Sequence, residues 1–277
     1  MRTLAARPPY NLARTLRCGQ AFGWKVNGAT ADGFFSGRRV HLQQVGDRIV
    51  VEGIENAGAL RSLWHYLNLD EDLAGIEDRL FHDSVLRNAL PHTTGIALLR
   101  QDPWECLISF IVSAFNNIPK IELSVGRLMH RFGRAAADGG SHFPRPQALA
   151  SARMRGLRAC ALGYRAPYVA AVARLVASGE FDLERLRRLA YPEARRLLLA
   201  LPGVGEKVAD CVLLFGYGKR EAFPVDVWVK RAVEEWYFGG RPVSIGQIRE
   251  FASDRFGEVA GYAQQHLFHY ARTRARS

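Results

Sequence analysis

The chain has 277 residues, and its 38 lysine and arginine residues against 27 aspartate and glutamate residues give a formal charge of +11. With 48% hydrophobic and 23% charged residues, the composition excludes intrinsic disorder for most of the chain. No apolar run approaches the roughly 20 residues that span a bilayer, and the first residues do not resemble a secretory signal, so we expect no membrane partner. The four cysteines contain no C-x-x-C pair. This spacing indicates neither a zinc site nor a disulfide framework and favours a reducing compartment.

The positive charge is unevenly distributed along the sequence. Residues 1–144 carry 16 basic and 14 acidic side chains, whereas residues 145–277 carry 22 and 13, so the two parts have formal charges of +2 and +9. A concentrated excess of this sign is typical of a surface that meets phosphate groups. Only five of the 38 basic residues are lysines, so an arginine-rich coding bias is an alternative explanation.

The first part of the chain has the pattern of strands and turns. Two β-prone runs, residues 33–45 and 48–52, flank Gly46-Asp47, and this arrangement predicts a β-hairpin. Helical patterns follow near residues 56–67 and 70–90. We therefore expect an N-terminal α/β lobe over residues 1–95, built on an antiparallel sheet with helices.

The rest of the chain has helical patterns. Asp102-Pro103 is typical of a helix start, with aspartate as the cap and proline at the first helical position. The residues behind it recur at the spacing of one apolar helix face: Leu107, Ile108, Ile111, Ala114 and Phe115. Further helices are predicted near 120–132, 165–178, 192–200, 206–216, 226–236, 244–256 and 259–274. The predicted fold class is α+β, with an all-α body over residues 96–277.

A glycine turn, Leu201-Pro-Gly203-Val204-Gly205, separates two of these helices. Such a turn exposes backbone N–H groups at a helix N-terminus, where they can bind a phosphate, and its carbonyl groups can hold a monovalent cation. A Walker P-loop is excluded because its lysine-serine/threonine ending is absent and no strand precedes the turn. The remaining alternative is a glycine turn that only joins two helices.

Two residues downstream of the turn can carry chemistry. Lys207 lies in the first turn of its predicted helix, where the helix dipole disfavours a cation and thus favours the neutral, nucleophilic amine. Asp226 follows the stiff segment Phe223-Pro-Val and precedes the next helix. An aspartate in that position is most often a helix cap, but it could also face the same reaction centre as the lysine.

These motifs resemble the 8-oxoguanine DNA glycosylases, a branch of the helix-hairpin-helix DNA glycosylase superfamily. The resemblance rests on the Leu-Pro-Gly-Val-Gly-x-Lys turn, on the downstream Pro-Val-Asp226, and on three further segments in the family's order. These segments are residues 17–24, Arg-Cys-Gly-Gln-Ala-Phe-Gly-Trp; residues 101–110, Gln-Asp-Pro-Trp-Glu-Cys-Leu-Ile-Ser-Phe; and residues 163–168, Gly-Tyr-Arg-Ala-Pro-Tyr. The resemblance implies a helix-hairpin-helix motif around residues 192–216.

The resemblance implies a base-flipping repair enzyme that acts on 8-oxoguanine in double-stranded DNA. In this family the lysine matched by Lys207 attacks the sugar, expels the base and forms a Schiff base, after which the strand is cleaved. Asp226 matches the carboxylate that stabilises the cationic sugar. We expect no required cofactor, apart from a candidate structural monovalent or divalent cation at the hairpin. We also expect a monomer that is cytoplasmic or nucleoid-associated in a bacterium and nuclear in a eukaryote.

Four residues match the family's base pocket. Gly19 matches the glycine whose carbonyl accepts the N7 proton that distinguishes 8-oxoguanine from guanine. Gln264 and Phe268 match a hydrogen-bonding glutamine and a stacking phenylalanine, and their i, i+4 spacing places them on one helix face. Cys211 matches the residue on the other side of the flipped base. Without the resemblance, a turn glycine, two core residues and a buried cysteine are equally good interpretations.

The residues expected to meet the opposite strand match the family only in part. Asn116, Asn117 and Arg165 match residues that fill the gap and contact the widowed cytosine, and Tyr164 matches the wedge beside it. At two further positions the sequence departs from the family: Phe115 replaces the first asparagine of a triplet, and Lys120 replaces an arginine that many members have.

These departures predict a relaxed preference for the opposite base. Phe115 cannot hydrogen-bond a cytosine edge, and Lys120 offers a point charge in place of a planar fork. Phe115 could stack in the vacated space, but it also continues the apolar face of its helix and could belong to the core.

Two other functions remain open at this point. A monofunctional glycosylase of the same fold would act on alkylated bases, although it would have no need of an amine nucleophile at Lys207. A non-catalytic helix-hairpin-helix module would bind DNA without any pairing of Lys207 with Asp226. A relative with an iron–sulfur cluster is disfavoured because no cysteine follows Cys211.

Overall fold

A five-stranded antiparallel sheet forms the N-terminal lobe of the computed structural model, which describes residues 2–136 and 139–274. The strands in chain order are β1 Arg2–Ala5, β2 Trp24–Asn27, β3 Thr30–Phe35, β4 Arg38–Val45 and β5 Arg48–Glu52. Their order in the sheet is β1-β5-β4-β3-β2, and every neighbouring pair is antiparallel.

The predicted hairpin is confirmed as β4 and β5. Gly46 occupies the tight turn with a φ of +60°, a conformation that favours glycine. Val40 and Leu42 alternate with exposed or half-buried neighbours along β4, and Ile49 and Val51 do so along β5. This alternation buries one face of the sheet and fixes its register.

Four helices complete the lobe: α1 Leu12–Arg17, α2 Ala57–Leu67, α3 Leu73–Phe81 and α4 Ser84–Thr93. The prediction of one helix over residues 70–90 was wrong, because the chain breaks there into α3 and α4. Asp83 causes the break, since its carboxylate accepts hydrogen bonds from the backbone N–H groups of Val85 and Leu86 and caps a new helix. The apolar spacing continues across the break and hides it.

The body is helical, as predicted. Its helices are α5 Pro103–Ser113, α6 Ile118–Phe132, α7 Pro146–Ala150, α8 Met154–Arg158, α9 Ala166–Ala177, α10 Arg185–Arg188, α11 Tyr191–Leu199, α12 Glu206–Tyr217, α13 Val227–Tyr237, α14 Ile245–Phe256 and α15 Ala260–Arg274. The helices α7, α8 and α10 were not predicted, because four or five residues are too few to show a helical period.

Helix α5 runs through the centre of the body. All of its residues except Glu105 are buried, and Phe110 stacks on Phe215 of α12 with ring centroids 5.5 Å apart. The start of α5 packs near the end of α12, since a Cβ on Gly216 would lie 3.3 Å from the Cα of Pro103. The two helices are therefore antiparallel, and this places the end of α5 beside the first turn of α12.

Buried polar contacts join the lobe to the body. Glu71 of the lobe accepts hydrogen bonds from Tyr262 at 3.0 Å and from Arg220 at 2.6 Å. One hydrophobic core extends through both parts. The domain boundary at residue 95 stays a prediction. No helix in residues 2–136 and 139–274 is both long and apolar enough to cross a membrane.

Candidate active site

The amine of Lys207 lies in a small polar and aromatic niche. Its Nζ donates a hydrogen bond to the hydroxyl of Ser113, at 3.0 Å, and lies 4.8 Å from the centre of the Phe110 ring. Ser113 donates its own proton to the carbonyl of Phe110 at 2.7 Å, so a lone pair of its oxygen remains for the amine. The packing of α5 on α12 therefore holds the lysine in a defined position.

The predicted glycine turn precedes this lysine directly. Gly203 has a φ of +77°, and a Cβ there would lie 2.7 Å from Cβ and Cγ of Tyr168, so only glycine fits. Gly205 is the N-cap of α12 and has no side chain to cap the helix, and a Cβ on it would meet nothing within 4 Å. The N–H groups at the start of α12 are thus free of any side-chain cap, as a phosphate-binding turn requires.

Asp226 caps α13, as the sequence predicted. Its carboxylate accepts a hydrogen bond from the backbone N–H of Val229 at 2.8 Å. Burial raises the pKa of Asp226 above its ordinary value, and the cap hydrogen bond and the charge of Lys207 oppose that rise. The aspartate and the lysine thus sense each other electrostatically, although they form no direct ion pair.

Cys211 lies one helical turn after Lys207. The thiol is 3% exposed, and burial raises its pKa to about 12, against the opposing influence of the Lys207 charge. The side chain is therefore a neutral thiol at physiological pH, and it provides an apolar wall beside the amine.

Gly19 and Phe268 come together, as the base-pocket prediction requires. Gly19 has a φ of +79°, and a Cβ there would lie 3.0 Å from Cε1 of Phe268 and 3.4 Å from Ile118. The ring therefore packs directly on the glycine backbone. Gln264, one turn earlier on α15, is 4% exposed and accepts a hydrogen bond from Gln265 at 2.9 Å.

Phe115 does not belong to the core, so that interpretation is corrected. Helix α5 ends at Ser113, Phe115 has a φ of +48°, and its side chain is 98% exposed. A non-glycine residue in this left-handed conformation is uncommon and costs strain energy. The apolar spacing of α5 extends to Phe115 in the sequence, but the helix stops before it and the ring points into solvent.

Two neighbouring residues hold Phe115 in this position. Arg165 donates from Nε to the carbonyl of Ala114 at 2.7 Å and from a terminal nitrogen to the carbonyl of Phe115 at 3.0 Å. Tyr164 donates to the carbonyl of Ala114 at 3.2 Å, and the Arg165 guanidinium lies 4.4 Å from the centre of its ring. The wedge residues thus fix the loop, while the contact of Arg165 with a cytosine stays a prediction.

The two asparagines have structural roles at the same junction. Asn117 caps α6 by accepting a hydrogen bond from the backbone N–H of Lys120 at 3.1 Å. Asn116 donates to the carbonyl of Val112 at 3.2 Å and accepts from the N–H of Asn117 at 3.0 Å. Lys120 is exposed in the first turn of α6. All these residues lie on one surface with Phe115 and Tyr164.

Sequence reasoning missed three residues of the site. Ser113 and Phe110 face Lys207, and they lie at i and i+3 on α5, where they resemble core residues. Arg272 lies 5.0 Å from the centre of the Phe268 ring and lowers the pKa of Asp226. Its i+4 spacing from Phe268 was the signal that could have found it.

The largest cavity lies elsewhere. It measures about 850 Å³ and is bordered by the sheet and by residues 129–148, and neither Lys207 nor Asp226 nor any predicted base-pocket residue lines it. The chemistry therefore centres on the open surface between the hairpin, Asp226 and the Phe115 loop.

Two family models together match residues 4–253. Residues 4–107 match the model of the 8-oxoguanine DNA glycosylase N-terminal domain, and residues 108–253 match that of the HhH-GPD superfamily base excision DNA repair proteins. The chain belongs to the 8-oxoguanine DNA glycosylase family. The predicted family, fold class and hairpin motif are confirmed in this respect.

Individual members of the family are similar over most of their length. A probable N-glycosylase/DNA lyase of Methanothermobacter thermautotrophicus is 37% identical, over 71% of this chain and 70% of the relative. An N-glycosylase/DNA lyase of Arabidopsis thaliana is 32% identical, over 93% and 76%. A crystal structure of the Clostridium acetobutylicum 8-oxoguanine glycosylase/lyase, in complex with DNA containing cytosine opposite 8-oxoguanine, is 33% identical. That structure matches with a TM-score of 0.91 over 96% of this chain and 93% of its own.

Proposed function

We propose that this protein is a bifunctional 8-oxoguanine DNA glycosylase and AP lyase that uses Lys207 as its nucleophile. The observation that carries the proposal is the niche of Lys207, in which Ser113 and Phe110 hold the amine at the start of α12, directly after the phosphate-binding turn. Family membership and the N-glycosylase/DNA lyase relatives support the activity.

The first chemical step releases the base. The neutral amine of Lys207 attacks C1′ of the flipped nucleotide, the glycosidic bond breaks, and the base departs with the bonding electrons and takes up a proton. Positive charge develops on the sugar in the transition state, and a carboxylate beside it lowers the barrier. Asp226 fits this role because its charge already interacts with Lys207.

The second step cleaves the strand. The amine nitrogen loses its proton and the sugar ring opens, which leaves a Schiff base between Lys207 and C1′. Loss of a proton from C2′ then breaks the bond from C3′ to oxygen, and the phosphate leaves. Meanwhile the N–H groups at Gly205 and Glu206 hold a backbone phosphate of the lesion strand.

Recognition of the lesion involves the Gly19 and Phe268 pair. Their direct contact gives a flat aromatic face beside a backbone carbonyl, so a base inserted there would stack on the ring. A carbonyl acceptor binds the N7 proton of 8-oxoguanine and repels the N7 lone pair of guanine. Gln264 supplies hydrogen bonds to the base, and Cys211 covers its other side.

The preference for the opposite base is relaxed. The Arg165 guanidinium spends most of its donors on the carbonyls of Ala114, Phe115 and Leu162, which leaves few for a cytosine edge. Lys120 cannot form a bidentate contact, and Phe115 stacks without reading a base. The strained, fully exposed ring of Phe115 is suited to fill the space left by the flipped nucleotide.

A monovalent cation would fit at the hairpin. The carbonyl oxygens of Gly203 and Val204 accept no hydrogen bond from the described residues, so they remain available as hard oxygen ligands. A cation there would add positive charge next to the bound phosphate. Within residues 2–136 and 139–274 no cluster of three acidic, histidine or cysteine side chains could hold a metal ion.

Borohydride trapping tests this proposal. Duplexes with 8-oxoguanine opposite each of the four bases are incubated with the protein and reduced, which converts a Schiff base into a stable adduct. We expect an adduct with all four opposite bases, within about tenfold of one another, and none with Lys207→Gln. Lys219→Gln, which removes another lysine of the body, should trap like the unmodified protein.

Two results would contradict the proposal. An unchanged adduct in Lys207→Gln would exclude this lysine as the nucleophile. A preference for cytosine of several orders of magnitude would exclude the relaxed opposite-base selection while leaving the chemistry of Lys207 intact.

A further inference from the structure

Five exposed arginines lie on α6, on α8 and at the start of α8, away from the hairpin. We call them the arginine patch: Arg127, Arg131, Arg153, Arg155 and Arg158. None of them forms an ion pair with a carboxylate of residues 2–136 and 139–274. Exposed arginines without acidic partners repel one another, so a partner with negative charge would relieve the repulsion.

A groove runs through the patch. It measures about 730 Å³ and is lined by Arg131, Arg153 and Arg155 with mostly small residues between them, and none of its lining residues is acidic. Helix α8 approaches the end of α6 closely, since a Cβ on Gly156 would lie 3.1 Å from Phe132. The close approach brings arginines from two separate segments to one concave surface.

The sequence around the patch is unusually basic. Residues 123–163 contain seven arginines and a single acidic residue, Asp138, and therefore carry +6 of the formal charge of +11. This segment lies outside the hairpin and the catalytic pair. The charge of the catalytic site itself therefore does not explain the excess.

The patch lies at a definite distance from the wedge. Helix α6 begins directly after Asn117 in the Phe115 loop, and Arg131 follows 14 residues later. At a rise of about 1.5 Å per residue, this separation is roughly 21 Å along the helix. That length corresponds to about six base pairs of duplex at about 3.4 Å each. Likewise α8 ends at Arg158, six residues before Tyr164.

We propose that the arginine patch binds the phosphodiester backbone of one duplex arm, several base pairs from the flipped nucleotide. The inference rests on the proposed function only in that the protein binds duplex DNA. The patch adds affinity that is independent of sequence and depends on salt, because each neutralised phosphate releases counterions. It takes no part in base recognition or in the chemistry of Lys207.

The test compares two double variants with the same loss of charge. Arg153→Gln/Arg155→Gln removes two charges from the patch, whereas Arg61→Gln/Arg79→Gln removes two exposed arginines from helices of the N-terminal lobe. Binding is measured against salt with duplexes that carry an uncleavable abasic-site analogue. The two arms flanking the analogue measure about 12 base pairs, or one of them is shortened to about 3.

With two long arms, we expect the patch variant to bind about tenfold more weakly than the control variant and to lower the salt slope by about 1.8, at about 0.9 for each phosphate. Shortening one particular arm should abolish this difference, and shortening the other should preserve it. Borohydride trapping at saturating protein should be unchanged in the patch variant, so failure of the proposed chemistry would be seen separately.

Two outcomes would overturn the proposal. Equal binding by the two double variants would show that the patch does not contact DNA. A difference that persists when either arm is short would place the contact elsewhere than on the flanking duplex of the same molecule.

Discussion

Ser113 has a role at the residue scale that its type alone would not suggest. Its hydroxyl accepts from Lys207 at 3.0 Å while it donates to Phe110 at 2.7 Å, so both of its hydrogen-bonding functions are used within the site. A nucleophile must be held near its attack geometry to use its reactivity. We infer that Ser113 is a positioning residue for the amine.

Replacement of Ser113 by alanine should therefore slow base excision about tenfold, with unchanged affinity for DNA, because a single hydrogen bond of about 1–1.5 kcal/mol positions the amine. Single-turnover excision and its pH profile measure this effect. Ser109→Ala is the control, since Ser109 is equally buried one turn earlier on α5 and does not contact Lys207. Equal rates for the two variants would contradict the positioning role.

Sequence reasoning found the residues with distinctive motifs and missed those defined by packing. Lys207 and Asp226 follow turns that are visible in the sequence, and both lie at helix starts as predicted. Ser113 lies within an almost entirely buried helix, where a serine gives no periodic signal. Phe115 was ambiguous because its exposure depends on hydrogen bonds from Tyr164 and Arg165, about 50 residues away.

At the scale of elements, the two glycines of the hairpin turn have different physical requirements. Gly203 needs a positive φ and close contact with Tyr168, so its constraint comes from the protein itself. Gly205 has an ordinary φ of −92° and open space around it, so its constraint is the close approach of a phosphate. A sequence motif alone shows both glycines as equivalent.

We therefore expect alanine at the two positions to have separable effects. Gly203→Ala should lower the free energy of unfolding by about 1–3 kcal/mol, through strain and the clash with Tyr168. Gly205→Ala should leave the unfolding free energy within about 0.5 kcal/mol and weaken DNA binding severalfold. Denaturant unfolding and DNA titration measure the two quantities. Similar loss of stability in both variants would contradict this assignment.

At the scale of the whole molecule, α15 closes the fold with a buried histidine. His266 is fully buried, and its Nδ1 lies 2.8 Å from the Thr93 hydroxyl of the lobe. That hydroxyl donates to the carbonyl of Ala89 and so accepts from Nδ1–H, which leaves Nε2 unprotonated and without a partner. Burial lowers the pKa of His266 to about 3.

This histidine should make the fold sensitive to acid. An unfolded histidine takes up its proton near pH 6.5, whereas the folded one resists protonation down to about pH 3. Between these values the unfolded state binds more protons, so stability falls as the pH falls, by up to about 1.4 kcal/mol per pH unit. Above pH 6.5 the residue contributes no pH dependence.

His266→Asn should flatten this part of the stability curve, although it also lowers stability at neutral pH through lost packing. The amide of asparagine can still donate to Thr93, and it does not titrate. Denaturant unfolding at pH 7 and pH 4.5 measures the slope, with the exposed His82→Asn as the control. An unchanged slope in His266→Asn would contradict the assignment.

The architecture was more predictable than the contacts between its parts. Helices such as α12 and α15 have long apolar periods and lie within about two residues of their predicted limits. The joint between lobe and body depends on single buried groups such as Glu71, whose partners Arg220 and Tyr262 lie more than 140 residues away in the sequence. No local pattern reports such pairings.

The central claim is that one lysine of five forms the covalent bond to the sugar. Mass spectrometry of the borohydride-reduced adduct, after digestion of both protein and DNA, locates that bond directly. The account predicts that the sugar remnant lies on the peptide that contains Lys207. A remnant on Lys120, on another lysine or on the N-terminal amine would contradict it.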